Sequence, residues 1–238
     1  MLKESAGERT GQTAQPLSRV IFVKLAFRAL LLGLLLFIPA GTARWWAGWS
    51  YFLLYCGWSF GNALLLARLA PALLAGRVAF SPAPVEAWDK VFISLSYLLF
   101  AVMILFCGIE GPACDWFGAS LAGRWFAFLG LSSACAIATL SFINNRFALG
   151  AVLVQQGQVP SEAGPYASIR HPIYLAGICF SFCTPAALGS VSAFVPAALL
   201  SAAIIARTAL EDRLLKRRLP GYAEYAARVR YRLVPGFW

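Results

Sequence analysis

Charged residues are scarce in this sequence. Asp, Glu, Lys and Arg make up 13% of the 238 residues, and there is one histidine, His171. A soluble domain usually carries about 25% charged residues. Because 60% of the residues are hydrophobic and the mean hydropathy is +0.71, the composition excludes an ordinary water-soluble domain and favours a chain whose solvent is lipid.

Two chemical motifs are also missing. The six cysteines contain no Cys-x-x-Cys, so neither a redox dithiol motif nor a cysteine-based metal site is indicated. Cys179 and Cys183 share a helix face, but small buried hydrophobic side chains are the simpler interpretation, and we predict no metal. No Gly-x-Gly-x-x-Gly occurs in the loops, which weakens the case for a dinucleotide site without excluding one.

Long apolar blocks are the main feature that is present. Most are about 17 to 23 residues long, the length of helix that crosses a bilayer. They predict an all-α fold, a polytopic membrane helical bundle with about six transmembrane helices. The six blocks run over residues 20–40, 45–67, 91–109, 125–143, 172–188 and 192–206.

Basic residues are distributed unevenly between the loops. With six crossings, 18 of the 20 Lys and Arg residues fall on one side, leaving Arg44 and Arg124 on the other. The positive-inside rule then places both termini in the cytosol, and a bacterial inner membrane is the predicted location. The net charge of +10 lies beside the crossings, so membrane lipids are the predicted partners rather than nucleic acid.

The chain divides into three predicted parts. Residues 1–17 are polar and read as a disordered cytosolic lead, residues 18–143 hold four transmembrane helices, and residues 144–238 hold the fourth loop, the last two helices and a tail. The sixth helix keeps its apolar spacing beyond the membrane, so we expect a cytosolic helical extension that ends at Pro220-Gly221.

Polar residues gather where the fifth helix begins. His171 follows Arg170, and Pro172 occupies a first-turn position that proline tolerates. Free N–H groups and the positive end of the helix dipole suit such a site to an anion. The alternative is an ordinary helix start with an arginine that reaches to the interface.

A second polar group follows the sixth block. Arg207 and Glu211 are four residues apart, so a structural ion pair within the helix is one interpretation. The fifth and sixth blocks form a short hairpin, however, which returns Arg207, Glu211 and Asp212 to the level of His171. The combined cluster offers cations for a carboxylate and carboxylates for an ammonium or sulfonium group, and ionisable clusters at this depth are functional-site hypotheses.

Five motifs follow one another in this half of the chain. They are Gly164-Pro165-Tyr166, Arg170-His171-Pro172-x-Tyr174, Arg207-x-x-x-Glu211-Asp212, Gly221-Tyr222-x-x-Tyr225 and Leu233-x-Pro235-Gly236. Their order resembles that of the isoprenylcysteine carboxyl methyltransferase family and its prokaryotic relatives, over about the last 95 residues, and related membrane phospholipid methyltransferases share the general pattern. The chain departs from the pattern with Ala176 where the family often has glycine, and with Glu211-Asp212 in place of a pair of glutamates.

The resemblance implies an S-adenosylmethionine-dependent membrane methyltransferase, whose lipophilic acceptor enters from the bilayer. A carboxylate such as an isoprenylcysteine-like group is one candidate for this acceptor. The catalytic residues that it implies are Arg207 and Glu211. The cofactor-binding residues that it implies are Tyr166, Arg170, His171, Pro172, Tyr174, Glu211 and Asp212.

Two other functions are compatible with the sequence. One is a membrane NADPH-dependent reductase of the sterol type, and the other is a non-enzymatic transporter or assembly factor. A charged cluster at the membrane boundary argues against transport, since transport sites tend to lie near the bilayer midplane. The identity of the acceptor, the atom that is methylated and the oligomeric state stay open.

Overall fold

The computed structural model describes residues 14–78, 86–113 and 121–238, and in these ranges the regular secondary structure is entirely helical. The predicted all-α fold is therefore confirmed. The helices are α1 Ala14–Ala40, α2 Trp46–Leu69, α3 Pro71–Val78, α4 Ala87–Glu110, α5 Leu121–Asn144, α6 Pro172–Leu188, α7 Phe194–Arg218 and α8 Tyr222–Arg228, with one turn of 3-10 helix at Gly164–Ala167.

Five of these helices are long and apolar enough to cross a membrane: α1 from Arg19, α2, α4, α5 and α7. Their outer faces carry large exposed apolar side chains, for example Val23 at 68% and Phe126 at 73% of full exposure, as expected for a surface that contacts lipid. The chain is thus a helical membrane protein. The remaining predicted crossing corresponds to α6, which is apolar but has only 17 residues.

The helices are longer than the apolar blocks from which they were predicted. α4 begins at Ala87 instead of Val91, and α7 continues past its apolar block to Arg218, two residues before Pro220-Gly221, where the extended helix is predicted to end. Polar residues at helix ends stay helical because the backbone hydrogen bonds continue past the apolar stretch. Most of the predicted N-terminal lead lies outside the described residues, although α1 already begins at Ala14.

The bundle packs closely in its interior. α5 lies along α6, α6 packs on α7, and α4 contacts both α1 and α7. Gly108 in α4 shows how near α1 comes, because a Cβ at this position would lie 2.6 Å from the carbonyl oxygen of Leu36. In lipid no hydrophobic force drives helices together, so their association depends on close packing. Small residues at such crossings allow the helix backbones to approach closely.

One carboxylate fixes the turn of the α6–α7 hairpin. Oε2 of Glu110, the last residue of α4, accepts hydrogen bonds from Ser190 Oγ at 2.8 Å, Val191 N at 2.9 Å and Ser192 N at 3.1 Å. These donors precede α7, whose first backbone N–H groups lack partners within the helix. The hairpin is therefore held at this end of the bundle, and the start of α6 and the end of α7 lie together at the other end.

The C-terminal tail completes that other end. The backbone N–H of Arg170 donates to Tyr231 O at 3.0 Å, and that of His171 donates to Arg232 O at 2.9 Å. The segment before α6 is thereby paired with residues that follow α8. The position of His171 depends on the tail as well as on the hairpin.

Candidate functional site

A cavity of about 310 Å³ lies where α6 begins and α7 continues past it. Its walls come from α3, the end of α5, the loop 145–161, the first turn of α6, α7 and α8. Six of the predicted site residues line this cavity together, as the hairpin geometry predicts. They are Tyr166, Arg170, His171, Tyr174, Arg207 and Glu211.

Two predicted cofactor-binding residues do not line the cavity. Pro172 is the buried first residue of α6 and fixes where the helix starts. Asp212 is completely buried behind the cavity wall. Its position suits a role in holding the wall rather than in touching a molecule within it.

Three cations surround the Asp212 carboxylate. Arg170 Nε donates to Oδ1 at 2.8 Å, Arg232 Nε donates to Oδ2 at 3.0 Å, and Lys216 Nζ lies 3.2 Å from Oδ2. Arg170 also donates through Nη1 to the carbonyl oxygens of Val229 and Arg230 in the tail, at 2.7 and 2.8 Å. Asp212 and Arg170 therefore join α7, the start of α6 and the tail.

His171 is held between aromatic and acidic neighbours. Its Nε2 lies 3.4 Å from the Tyr222 hydroxyl oxygen and 3.6 Å from Oδ1 of Asp212, to which Tyr222 itself donates at 3.1 Å. The ring of Tyr174 stacks on the imidazole with centroids 5.6 Å apart and planes 10° from parallel. These contacts fix the orientation of the imidazole at the edge of the cavity.

Arg207 pairs with a residue from another helix. Among the described residues its ion-pair partner is Asp89 in α4, with Nη2 2.9 Å from Oδ1, and this replaces the pairing with Glu211 considered from the sequence. The guanidinium also donates to Gly150 O at 3.0 Å and lies 4.4 Å from the ring centroid of Phe92. Since Arg207 is 8% exposed and Asp89 is fully buried, the pair is part of the core.

Asp89 belongs to this wall but was not among the predicted site residues. Its Oδ2 accepts a hydrogen bond from the backbone N–H of Val152 at 2.7 Å, and so it links α4 to the loop that walls the cavity. The available signal was an acidic residue in the first turn of an otherwise apolar helix, since ionisable residues in such segments are expensive and usually functional.

The Arg207–Asp89 contact leaves hydrogen-bonding capacity unused. Oδ1 of Asp89 lies 2.9 Å from Nη2 of Arg207, yet this oxygen and the Nε of Arg207 are both buried without a hydrogen-bond partner. Buried polar atoms nearly always have one, so the pair is an unusual feature of the wall. Arg207 also lines the cavity, where its positive charge suits an anion.

Glu211 provides the opposite charge. It accepts a hydrogen bond from the Tyr174 hydroxyl, and within the described part of the chain no Lys or Arg side chain forms an ion pair with it. The carboxylate is half-buried at the cavity wall. A partly desolvated carboxylate without a cationic partner is a favourable position for a positively charged ligand group.

Charged side chains from three helices hold the backbone of the loop wall. Arg77 in α3 donates to Ala148 O at 2.7 Å, Arg207 in α7 donates to Gly150 O, and Asp89 in α4 accepts from Val152 N. The segment 148–152 reads Ala-Leu-Gly-Ala-Val and has no polar side chain of its own. Its conformation depends on these outside contacts, so the cavity is assembled from distant parts of the sequence.

Gly164 and Tyr166 complete the approach to α6. Gly164 has φ +57°, and a Cβ there would lie 2.5 Å from Nδ2 of Asn144, so the backbone conformation and the space both require glycine. Burial raises the pKa of Tyr166 to about 12, which keeps the phenol neutral at physiological pH. Its carbonyl oxygen accepts from the Tyr225 hydroxyl at 2.8 Å and so ties the turn to α8.

Comparison with known proteins adds no identification. No protein-family model matches the chain, and a search of curated proteins found no match. Functional inference therefore depends on the cavity, its charges and the motifs that form it.

Proposed function

We propose that the protein is an S-adenosylmethionine-dependent methyltransferase that acts on a lipophilic acceptor at the cytosolic membrane face. The observation that carries the proposal is the cavity at the start of α6, whose wall holds Arg207 together with a carboxylate, Glu211, that has no cationic partner among the described residues. The motifs that resemble the isoprenylcysteine carboxyl methyltransferase family supply eight of the residues that line this cavity, which supports the same assignment.

The charges of the cavity match the charged end of the proposed cofactor. Glu211 is suited to bind the ammonium or sulfonium group of the cofactor, and Arg207 is suited to bind its carboxylate. Tyr166, Arg170, His171 and Tyr174 line the cavity beside them, while Pro172 and Asp212 hold the wall from behind. The bound cofactor supplies a methyl group activated by the positive sulfur.

The protein's own part in the reaction is positioning. An acceptor that is already a carboxylate needs no general base, so alignment of the reacting groups and exclusion of water suffice. Phe142, Ile173 and Leu215 give the cavity an apolar lining between its charged groups. Arg207 and Glu211 are the proposed catalytic residues because they would hold the charged end of the cofactor and so fix the position of its methyl group.

The membrane arrangement is part of the proposal. We infer six crossings, of which α6 is the fifth and the shortest, and both termini in the cytosol of a bacterial inner membrane. A 17-residue helix is about 25 Å long, somewhat less than the hydrocarbon core, and this brings its first turn to the membrane boundary. An acceptor with a long apolar chain then reaches the cavity laterally from lipid.

Equilibrium binding to the purified full chain in detergent tests the function. We expect S-adenosylmethionine to bind and NADPH not to bind. Glu211→Gln should weaken S-adenosylmethionine by about 2 to 5 kcal/mol, because it removes a desolvated charged partner. Glu224→Gln is the matched control, since Glu224 is an exposed residue of α8 outside the cavity lining.

Each other outcome has a definite meaning. Binding of NADPH alone would favour a reductase of the sterol type. If neither ligand binds, the methyltransferase proposal fails and a non-enzymatic membrane role becomes the better explanation. Equal weakening by the Glu224 control would show that the effect comes from net charge and not from the cavity.

A further inference from the structure

A second cavity of about 600 Å³ adjoins the first one on the other side of Arg170. It lies between the end of α7 and residues 226–238, and we refer to it as the tail cavity. Four cationic side chains line it, and its described lining contains no acidic side chain. The four are Arg170, Lys216, Arg230 and Arg232.

The charges around the tail cavity do not balance. Asp212 lies beneath it and is the carboxylate that contacts Arg170, Lys216 and Arg232. Four cations therefore lie around one carboxylate. The net charge stays positive even if the main-chain oxygens of Trp238 supply a second anion. Two other basic residues at this end have their own partners: Arg218 pairs with Glu86, and Arg228 pairs with Glu162.

A surplus of this kind favours an anionic ligand. Lys216 and Arg232 keep 40% and 26% of their side-chain surface exposed, so both remain accessible while they contact Asp212. Arg230 is exposed as well. Cations that converge on one concavity bind a phosphate group through several charge-assisted hydrogen bonds.

Apolar side chains beside the cations identify the kind of anion. Phe237 also lines the tail cavity and is 88% exposed, and Val234 and Tyr231 next to it are 44% and 38% exposed. The guanidinium of Arg232 lies 4.8 Å from the ring centroid of Trp238. Exposed aromatic rings among Lys and Arg are typical of segments that lie in the membrane interface, whereas a free phosphate ion would gain nothing from them.

We propose that the tail cavity binds the headgroup of an anionic phospholipid. Lys216, Arg230 and Arg232 contact the phosphate, and Phe237 enters the lipid beside it. The site is separate from the proposed methyl-transfer cavity and does not depend on which reaction that cavity serves. Because Arg170 and Asp212 form the wall between the two cavities, a bound lipid stabilises the segment that carries His171.

Binding of a short-chain phosphatidylglycerol to the purified full chain in neutral detergent tests the proposal by calorimetry, with phosphatidylcholine and inorganic phosphate as reference probes. We expect phosphatidylglycerol to bind more tightly than either. Removal of each cation should weaken the binding of phosphatidylglycerol about fivefold. The double variant Lys216→Gln with Arg230→Gln should therefore bind it about 25-fold more weakly. Arg213→Gln with Arg217→Gln is the matched control, since both residues are exposed on α7 and lie outside the tail cavity.

Several results would overturn the proposal. One is an affinity for phosphatidylcholine equal to that for phosphatidylglycerol. Another is a loss of phosphatidylglycerol affinity in the control variant equal to that in the double variant. A third is displacement of the lipid by inorganic phosphate at comparable concentration, which would indicate a simple anion site. Phe237→Ala should weaken the lipid but leave phosphate unchanged, and an unchanged lipid affinity contradicts the lipid assignment. Should the double variant not fold, Arg230→Gln alone is compared with Arg213→Gln, because both remove a single exposed charge.

Discussion

Replacing Asp89 by asparagine should destabilise the protein through the cation left behind. Asparagine keeps the shape of the side chain but removes its charge. Arg207, 8% exposed and 2.9 Å from the Asp89 carboxylate, then becomes a buried cation without a carboxylate partner. Removing one partner of a buried ion pair costs about 3 to 5 kcal/mol of unfolding free energy.

Two contacts reduce that cost. Arg207 keeps its hydrogen bond to Gly150 O, and the ring of Phe92 at 4.4 Å offers a cation–π interaction that reaches about 2 kcal/mol when desolvated. The asparagine oxygen can still accept from Val152 N, as Asp89 does at 2.7 Å. We therefore expect Asp89→Asn to lower the unfolding free energy by about 2 to 3 kcal/mol, at or below the lower end of that range.

A double-mutant cycle separates the pair from its surroundings. The variants are Asp89→Asn, Arg207→Met and the combination, with the free energy of unfolding measured in detergent. Because each single variant leaves one charge buried, the combination should be less destabilised than the sum, by about 1 to 3 kcal/mol. Lys90→Gln, an exposed neighbour, should stay within about 0.5 kcal/mol of the parent. The ion pair would be refuted as a source of stability if the two single losses of unfolding free energy simply added in the double variant. It would also be refuted if Asp89→Asn cost less unfolding free energy than Lys90→Gln.

Three further predictions concern the site and the topology. His171→Ala should weaken the binding of S-adenosylmethionine with the helical fold retained, and parental affinity would remove His171 from the site. Gly164→Ala should lower the unfolding free energy by about 1 to 3 kcal/mol, since φ is +57° and the new Cβ meets Asn144; an unchanged thermal melt would contradict this. Reporter fusions at the C-terminus should report the cytosol, and an extracytoplasmic signal would overturn the six-crossing topology.

The sequence was sufficient to predict the long helices and to bring His171, Arg207 and Glu211 to one place. Apolar blocks define long helices because a buried backbone in lipid must satisfy its hydrogen bonds within the helix. The short connection between α6 and α7 brings His171 and Glu211 to one cavity, since two helices of a hairpin return to the same level. These features depend on local composition and on chain connectivity, both of which are visible in the sequence.

The contacts between side chains of different helices could not be predicted from the sequence. Asp89 meets Arg207 only because α4 packs on α7, and Arg77 reaches the loop wall only because α3 lies beside it. Nothing in the local sequence specifies these contacts, and an arginine four residues from a glutamate offered a nearer partner. The observed pairing with Asp89 leaves Glu211 free to face the cavity.

The adjacent residues Glu211 and Asp212 serve different sides of α7. Successive residues of a helix point about 100° apart, so one carboxylate faces the first cavity while the other faces the cations below the tail. Asp212 is fully enclosed, with Arg170 and Arg232 nitrogens at 2.8 and 3.0 Å, so a side chain longer by one methylene would have to displace them. Overpacking of this kind costs about 1 to 3 kcal/mol. The aspartate that departs from the family pattern therefore matches the spacing of the tail cluster, and the departure leaves the Glu211 side of the helix, where the proposed cofactor binds, unchanged.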